Sequence, residues 1–266
     1  MAKSRGAILG TLVGVGTAVA AGAALAVPED FLVVTPGELP LILTAPHGGT
    51  AMAGLPARHG GVQSRDVHTL EVTLALAQRL HYVLGVPPYV VAAKFSRKAI
   101  DANRAADQAF DDPGAAPLYH AYHDAIVRFV AELDQRFPNG TLLIDIHGQA
   151  TDALTVFRGT QDGATVRRLL GRAGAAALIG PDSILGALAA KGYAVFPANT
   201  PPDASPEHRA YKGGFTVQTY SREPTGIDAL QLELGMTLRT RPAFADDLAD
   251  AIATFARAFL GVDVRN

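Results

Sequence analysis

From Pro28 onward, short runs of aliphatic and β-branched residues alternate with longer stretches of helical periodicity, and this alternation limits the fold more than any other feature of the chain. Residues 32–35 and 41–45 are strand-like. Residues 66–84 carry Val67, Leu70, Leu74, Ala77 and Leu80 at close to helical spacing. A strand is expected over 87–95. A helix is expected over 117–136, with Leu118, Tyr122, Ile126, Phe129 and Leu133 on one face, and Phe137-Pro138-Asn139-Gly140 stops it before a strand at 141–147. Helical stretches at 164–177 and 181–191, strands at 192–198 and 229–235 and a closing helix at 243–260 complete the series. Strands joined through helices predict an α/β three-layer sandwich around a mostly parallel, mixed central sheet. In such sheets ligands collect at the carboxyl ends of the strands. His47, the segment from Arg97 to Arg104, His147 and the loop region 197–226 all fall at those ends.

The chain has 266 residues, enough for one large core, and a single domain over residues 27–266 is expected. Hydrophobic residues make up 48% and charged residues 18%, which suits a compact enzyme and argues against a disordered or nucleic-acid-coating chain. With 23 basic and 25 acidic residues there is no basic stripe, so nucleic acid is not an expected partner. There is no cysteine, which excludes disulfides, thiol catalysis and thiolate ligands; any metal must be held by His, Asp or Glu. The start reads as an export signal. MAKSR is basic, residues 6–26 are uncharged and rich in Ala, Gly, Val and Leu, and Ala24-Leu25-Ala26 offers a small-residue cleavage site. The same apolar stretch is just long enough to serve, uncleaved, as a membrane anchor. A periplasmic or secreted location is therefore expected, with the membrane a partner only through residues 6–26.

Two strand ends carry the chemistry. LILTAPHGG (41–49) and LLIDIHGQ (142–149) each place a histidine, His47 and His147, where an apolar run gives way to glycine. Zinc takes imidazole and carboxylate ligands, and glycine lets backbone and substrate approach closely. The alternative is a pair of histidines satisfied by backbone carbonyls. A third ligand is needed, and no acid follows His47 within three residues; Asp66 is the best carboxylate, with His68 and Glu71 in reserve. An acid in the first turn of a helix, favoured by the dipole, is its ordinary reading. Asp145 either orients an imidazole from behind or is a buried structural acid. In ALQLELG, Gln231 and Glu233 share one strand face; Glu233 is either an acid exposed at a sheet edge or, facing a metal, a general base and then acid. Arg97, Asp101, Asn103 and Arg104 concentrate after a strand, where guanidinium groups could bind a carboxylate or an oxyanion; a solvated loop is the plainer reading. Lys212, Gly213, Gly214, Ser221 and Arg222 could form a substrate wall. Tyr119, His120, Tyr122 and His123 read as a helix face and its flank.

In this order APHGG (45–49), the Asp66 segment, SRKAIDANR (96–104), DIHGQ (145–149), Gly213-Gly214 and LQLELG (230–235) resemble the N-formylglutamate amidohydrolase family, related in fold to zinc carboxypeptidases. The resemblance implies one zinc ion held by His47, Asp66 and His147, with Glu233 as catalytic base. It implies Arg97 as the group that polarises the scissile carbonyl, Asn103 and Arg104 as a hold on a substrate carboxylate, and Gly213-Gly214 at the substrate wall. The expected reaction is hydrolysis of an amide next to a carboxylate, in N-acyl or N-formyl amino acids or glutamyl-type substrates. Export points beyond the cytoplasmic substrate of the family's usual members. Cell-wall or poly-γ-glutamyl peptides are the enzymatic alternative, and a non-catalytic exported ligand-binding protein is the alternative of another class.

Overall fold

Strand runs buried on both faces belong in the middle of a sandwich, and that is where the computed structural model puts them. It describes residues 29–138, 140–198, 206–222 and 226–263; the expected export segment at 1–26 lies outside the described residues. The elements run β1 (Leu32–Thr35), β2 (Leu41–Ala45), α1 (Thr69–Leu84), β3 (Tyr89–Ala93), α2 (Ala106–Ala109), α3 (Ala116–Arg136), β4 (Leu142–Gln149), β5 (Thr155–Gly159), α4 (Arg167–Ala173), α5 (Ala176–Ile179), α6 (Ile184–Ala190), β6 (Ala194–Phe196), α7 (Phe215–Tyr220), β7 (Asp228–Gly235), α8 (Met236–Arg239) and α9 (Pro242–Phe259). Among the described residues the strands form one seven-stranded sheet in the order β1-β3-β2-β4-β7-β5-β6. Its centre, β3-β2-β4-β7, is parallel, while β1 runs antiparallel to β3 and β5 antiparallel to β7. The sheet is mixed and mostly parallel, as expected.

Helices cover both faces. Leu41, Leu43, Leu142, Ile144, Ile146, Leu230, Leu232 and Leu234 point to the layer of α1, α6 and α9, where Leu76, Leu80, Phe244, Leu248 and Ile252 meet them. Ile42, Leu143 and Ala229 point the other way, onto α3 and α7 through Tyr122, Phe129 and Val217. Side chains alternate faces along a strand, so Thr44, Asp145, His147, Gln231 and Glu233 continue this second face toward the strands' carboxyl ends. The register sets Thr44 beside Asp145, Asp145 beside Gln231 and His147 beside Glu233. One face thus turns from apolar to polar where the parallel strands end.

Four local expectations are corrected. The helix α1 begins at Thr69, not residue 66, and its buried stripe is Val72, Leu76, Leu80 and Leu84, while Leu74 is 40% exposed. Thr69 and Thr73 lie on the buried face with their hydroxyls bonded to the carbonyls of Asp66 and Thr69, and polar residues hidden this way shift the apparent hydrophobic phase. The stretch 164–177 is two helices, because Gly174 adopts a positive φ (67°) with an extended ψ between α4 and α5, a conformation open mainly to glycine. Strand β5 was not anticipated, and the region 197–226, expected to be loop, contains α7.

Candidate metal centre

His47 and His147 project from the ends of the adjacent strands β2 and β4, and both rings are buried. Each ring is held from behind by a carboxylate on its Nε2: Asp101 Oδ1 lies 2.7 Å from His47 Nε2, and Asp145 Oδ2 lies 2.8 Å from His147 Nε2. A carboxylate accepts, so Nε2 carries the proton in each neutral ring and Nδ1 keeps its lone pair. Those two Nδ1 atoms face each other at 3.2 Å, and Asp66 Oδ2 lies 3.2 Å from His147 Nδ1 and 3.4 Å from His47 Nδ1. Three acceptors therefore converge with no donor among them in the neutral rings, an arrangement that could hold a cation.

The triangle also has the right size. With metal–ligand bonds of about 2.0–2.1 Å, tetrahedral zinc sets its ligand atoms roughly 3.3–3.4 Å apart. The three observed separations, 3.2, 3.2 and 3.4 Å, lie close to that spacing, so His47, Asp66 and His147 could hold a zinc ion. Asp66 is no capping acid; it lies before α1, and its other contacts are the Gly148 N–H at 3.1 Å and Arg97 Nη1 at 3.4 Å. The reserve ligands fall away: Glu71 pairs with Arg65 at the surface, and His68, at the left-handed N-cap of α1, is not in the cluster.

The carboxylates behind the rings are themselves held. Asp145 Oδ1 accepts from Thr44 Oγ1 at 2.6 Å, while Asp101 accepts from the Asn103 N–H at 3.0 Å and from Arg97 Nε at 3.2 Å. Burial alone would raise the Asp66 and Asp101 carboxyls, but the adjoining histidines outweigh it and hold both far below the usual range; Arg97 adds to this at Asp101. Burial would also lower His147, yet Asp145 and Asp66 push it well above 6.5. Glu233 is pushed up by burial, against the charge of His147.

The surrounding cavity, about 530 Å³, is lined by the ligands, Arg97, Asn103, Arg104, Gln231, Glu233 and the segment Arg209–Gly214, and its walls are mainly polar. Glu233 stands at 8% exposure on the central strand β7, not at an edge. Gln231 Oε1 accepts from the Gly214 N–H at 2.7 Å, which can only donate, so the amide is fixed and its Nε2 donates to Glu233 Oε1 at 2.7 Å. Asn103 Oδ1 accepts from Thr216 N and Oγ1, which turns Nδ2 toward His147 Nε2 at 3.3 Å. Both of those nitrogens are donors, so the Asn103 amide keeps a donor for another acceptor. Gly214 lies flush on this amide; a Cβ there would sit 2.2 Å from Nδ2. Arg104 donates to the Asn103 carbonyl at 2.8 Å and has no carboxylate within ion-pair distance among the described residues. Lys212 pairs with Asp162 at the rim.

Not all sequence candidates meet here. Ser221 and Arg222 follow α7, and Arg222 lines a groove against α3 instead of the substrate wall, because α7 carries the chain away. Tyr119, Tyr122 and His123 are buried on α3 as a helix face. Two contributors are not legible in the sequence: Asp101 behind His47, and Arg239, buried behind Gly148. The i,i+4 spacing of Arg97 and Asp101 was the one available signal for the first.

No family model and no curated protein matches the sequence. Solved structures do match. N-formylglutamate amidohydrolase from Ralstonia eutropha JMP134 superposes with a TM-score of 0.57 at 18% identity, covering 88% of this chain and 98% of that one. A gene product of Agrobacterium tumefaciens superposes at 0.52 with 16% identity, covering 87% and 93%. The chain has the fold of the N-formylglutamate amidohydrolase structure over nearly all of that protein's length.

Proposed function

We propose that the protein is an exported zinc-dependent amidohydrolase that cleaves an amide next to a substrate carboxylate. The observation that carries this reading is the convergence of His47 Nδ1, His147 Nδ1 and Asp66 Oδ2, with Glu233 on the adjoining strand. A zinc ion held there would acidify water and polarise a carbonyl oxygen. Glu233, buried and raised in pKa, takes a proton from the attacking water and delivers it to the leaving nitrogen, and Gln231 holds one of its oxygens while this happens. Arg97, anchored on Asp101 and Asp66, has further N–H donors for the scissile carbonyl oxygen. Asn103 Nδ2 and the Arg104 guanidinium hold the substrate carboxylate. Gly213 and Gly214 let the substrate backbone lie close to the wall. A cavity of about 530 Å³ exceeds the needs of an N-formyl amino acid and favours, as a second reading, a peptide or γ-glutamyl chain.

Release of amine from a panel of N-acyl amino acids and γ-glutamyl peptides, with and without chelator, tests the reaction. Glu233→Gln should keep its zinc and lose about 10²–10⁴-fold in kcat. Near-normal turnover by that variant removes Glu233 as the base, and bound zinc with no hydrolysis by the unaltered protein favours a binding protein. Export rests on MAKSR and residues 6–26. N-terminal sequencing of protein recovered from the periplasm or medium should begin at residue 27, and recovery from the cytoplasm alone would overturn it.

A further inference from the structure

Arg239 ends α8, six residues beyond Glu233, and is buried at 6% exposure. Among the described residues it has no carboxylate within ion-pair distance. Its fork is spent on two carbonyls: Nη1 donates to Val67 O, and Nη2 donates to Gln149 O at 3.3 Å, while Nε is buried without a partner. A buried guanidinium with no carboxylate partner carries a desolvation cost that hydrogen bonds to two carbonyls only partly offset. Val67 follows Asp66, and Gln149 lies two residues after His147, so the fork joins the loop bearing one ligand to the strand end bearing another. Gly148, between them, lies flat on the guanidinium, where a Cβ would come within 2.4 Å of Nη1, and its N–H donates to Asp66 Oδ2. Asp66 N–H to His47 O at 3.2 Å and Arg65 Nε to Gly48 O at 2.6 Å tie this loop to the end of β2, and Arg97 Nη1 reaches Asp66 Oδ1 at 3.4 Å. Its ties to β4 are the Gly148 N–H on the Asp66 carboxylate and the Arg239 fork. The Arg239 charge also lies close enough to Asp66 and Glu233 to feel both.

We propose that Arg239 is a positioning residue of the metal centre: by bridging the Val67 and Gln149 carbonyls it sets the separation between Asp66 Oδ2 and His147 Nδ1 at which a cation is held. The inference rests on reading His47, Asp66 and His147 as ligands. Zinc affinity of the full chain, measured by competition with a chromophoric chelator, tests it beside the thermal midpoint of the metal-free protein. Arg239→Lys keeps the charge, but one ammonium cannot span both carbonyls, so zinc affinity should fall about 10–100-fold. Arg239→Gln serves the same purpose should the lysine variant not fold. Leu248→Ala, buried in the helix layer on the other face, is the control: it lowers the thermal midpoint without touching the ligands and should bind zinc as the unaltered protein does. Wild-type affinity in Arg239→Lys, or an equal loss in Leu248→Ala, overturns the positioning role. An unaltered protein that binds no zinc removes the ligand reading itself, together with this inference.

Discussion

At the scale of single residues, the groups behind the histidines decide what the histidines can do. His47 and His147 were legible because each is spelled out at a strand end beside glycine, and strand ends are recognisable in sequence. Which ring nitrogen of His47 faces His147 and Asp66 was not legible, because that depends on Asp101, 54 residues away, folding back onto its Nε2. A testable consequence follows for Asp101→Asn. The amide can present N–H to Nε2, which would move the ring proton to Nδ1 and turn a ligand atom into a donor. Zinc affinity should drop roughly 10–100-fold by chelator competition. Unchanged affinity would show that the His47 tautomer is set by something other than Asp101. Asp66 was the less secure ligand on sequence alone, since a helix-start acid and a ligand look identical until the helix is seen to begin three residues later.

At the scale of elements, long amphipathic segments were readable and short or polar-faced ones were not. The helix α3 carries its five expected apolar residues on the buried side, whereas α1 hides Thr69 and Thr73 and so defeats a purely apolar periodicity. Strand β5 is only Thr155–Gly159 with Arg158 inside it, and that arginine is buried against Glu207, a satisfaction that arises only when the loop from Glu207 closes over the strand. The pairing of α3 with α7 makes a further prediction. His123 on α3 is buried, with Nδ1 2.6 Å from the Tyr220 hydroxyl of α7, and burial lowers it to about 4. Its folded value lies below the unfolded one of about 6.5, so the unfolded chain gains the proton first as pH falls. Stability from this group is complete above pH 6.5 and is lost as pH falls toward 4. Between pH 6.5 and 4.5 the unaltered protein should lose roughly 2–3 kcal/mol more than His123→Phe, read from urea midpoints. Parallel pH profiles would mean that His123 titrates normally in the folded state.

At the scale of the molecule, the candidate centre brings together three separate segments, the end of β2, the loop before α1 and the end of β4, so a cation bound there would tie together parts of the chain that only folding brings into contact. An ion that binds the folded chain alone stabilises it by RT ln(1 + [L]/Kd), about 4 kcal/mol at a thousandfold excess over Kd. For a chain of this size that corresponds to a rise of roughly 8–16 °C in thermal midpoint. The gain must depend on pH. Without metal, His147 is protonated well above 6.5, so its contribution to the metal-free fold is present below the unfolded value and fades as pH rises through the folded one. Zinc needs the same Nδ1 lone pair and must displace that proton, so its apparent affinity falls up to tenfold for each pH unit below the folded value. The two trends oppose each other: lowering pH strengthens the proton-filled site and weakens the zinc-filled one. The stabilisation gained on adding zinc, read by calorimetry with buffered free zinc, should therefore shrink as pH falls from 8 to 6, by at most about 1.4 kcal/mol per unit. An increment independent of pH would mean that His147 does not hold the proton in the metal-free protein, and that its ring already presents a free lone pair to the site.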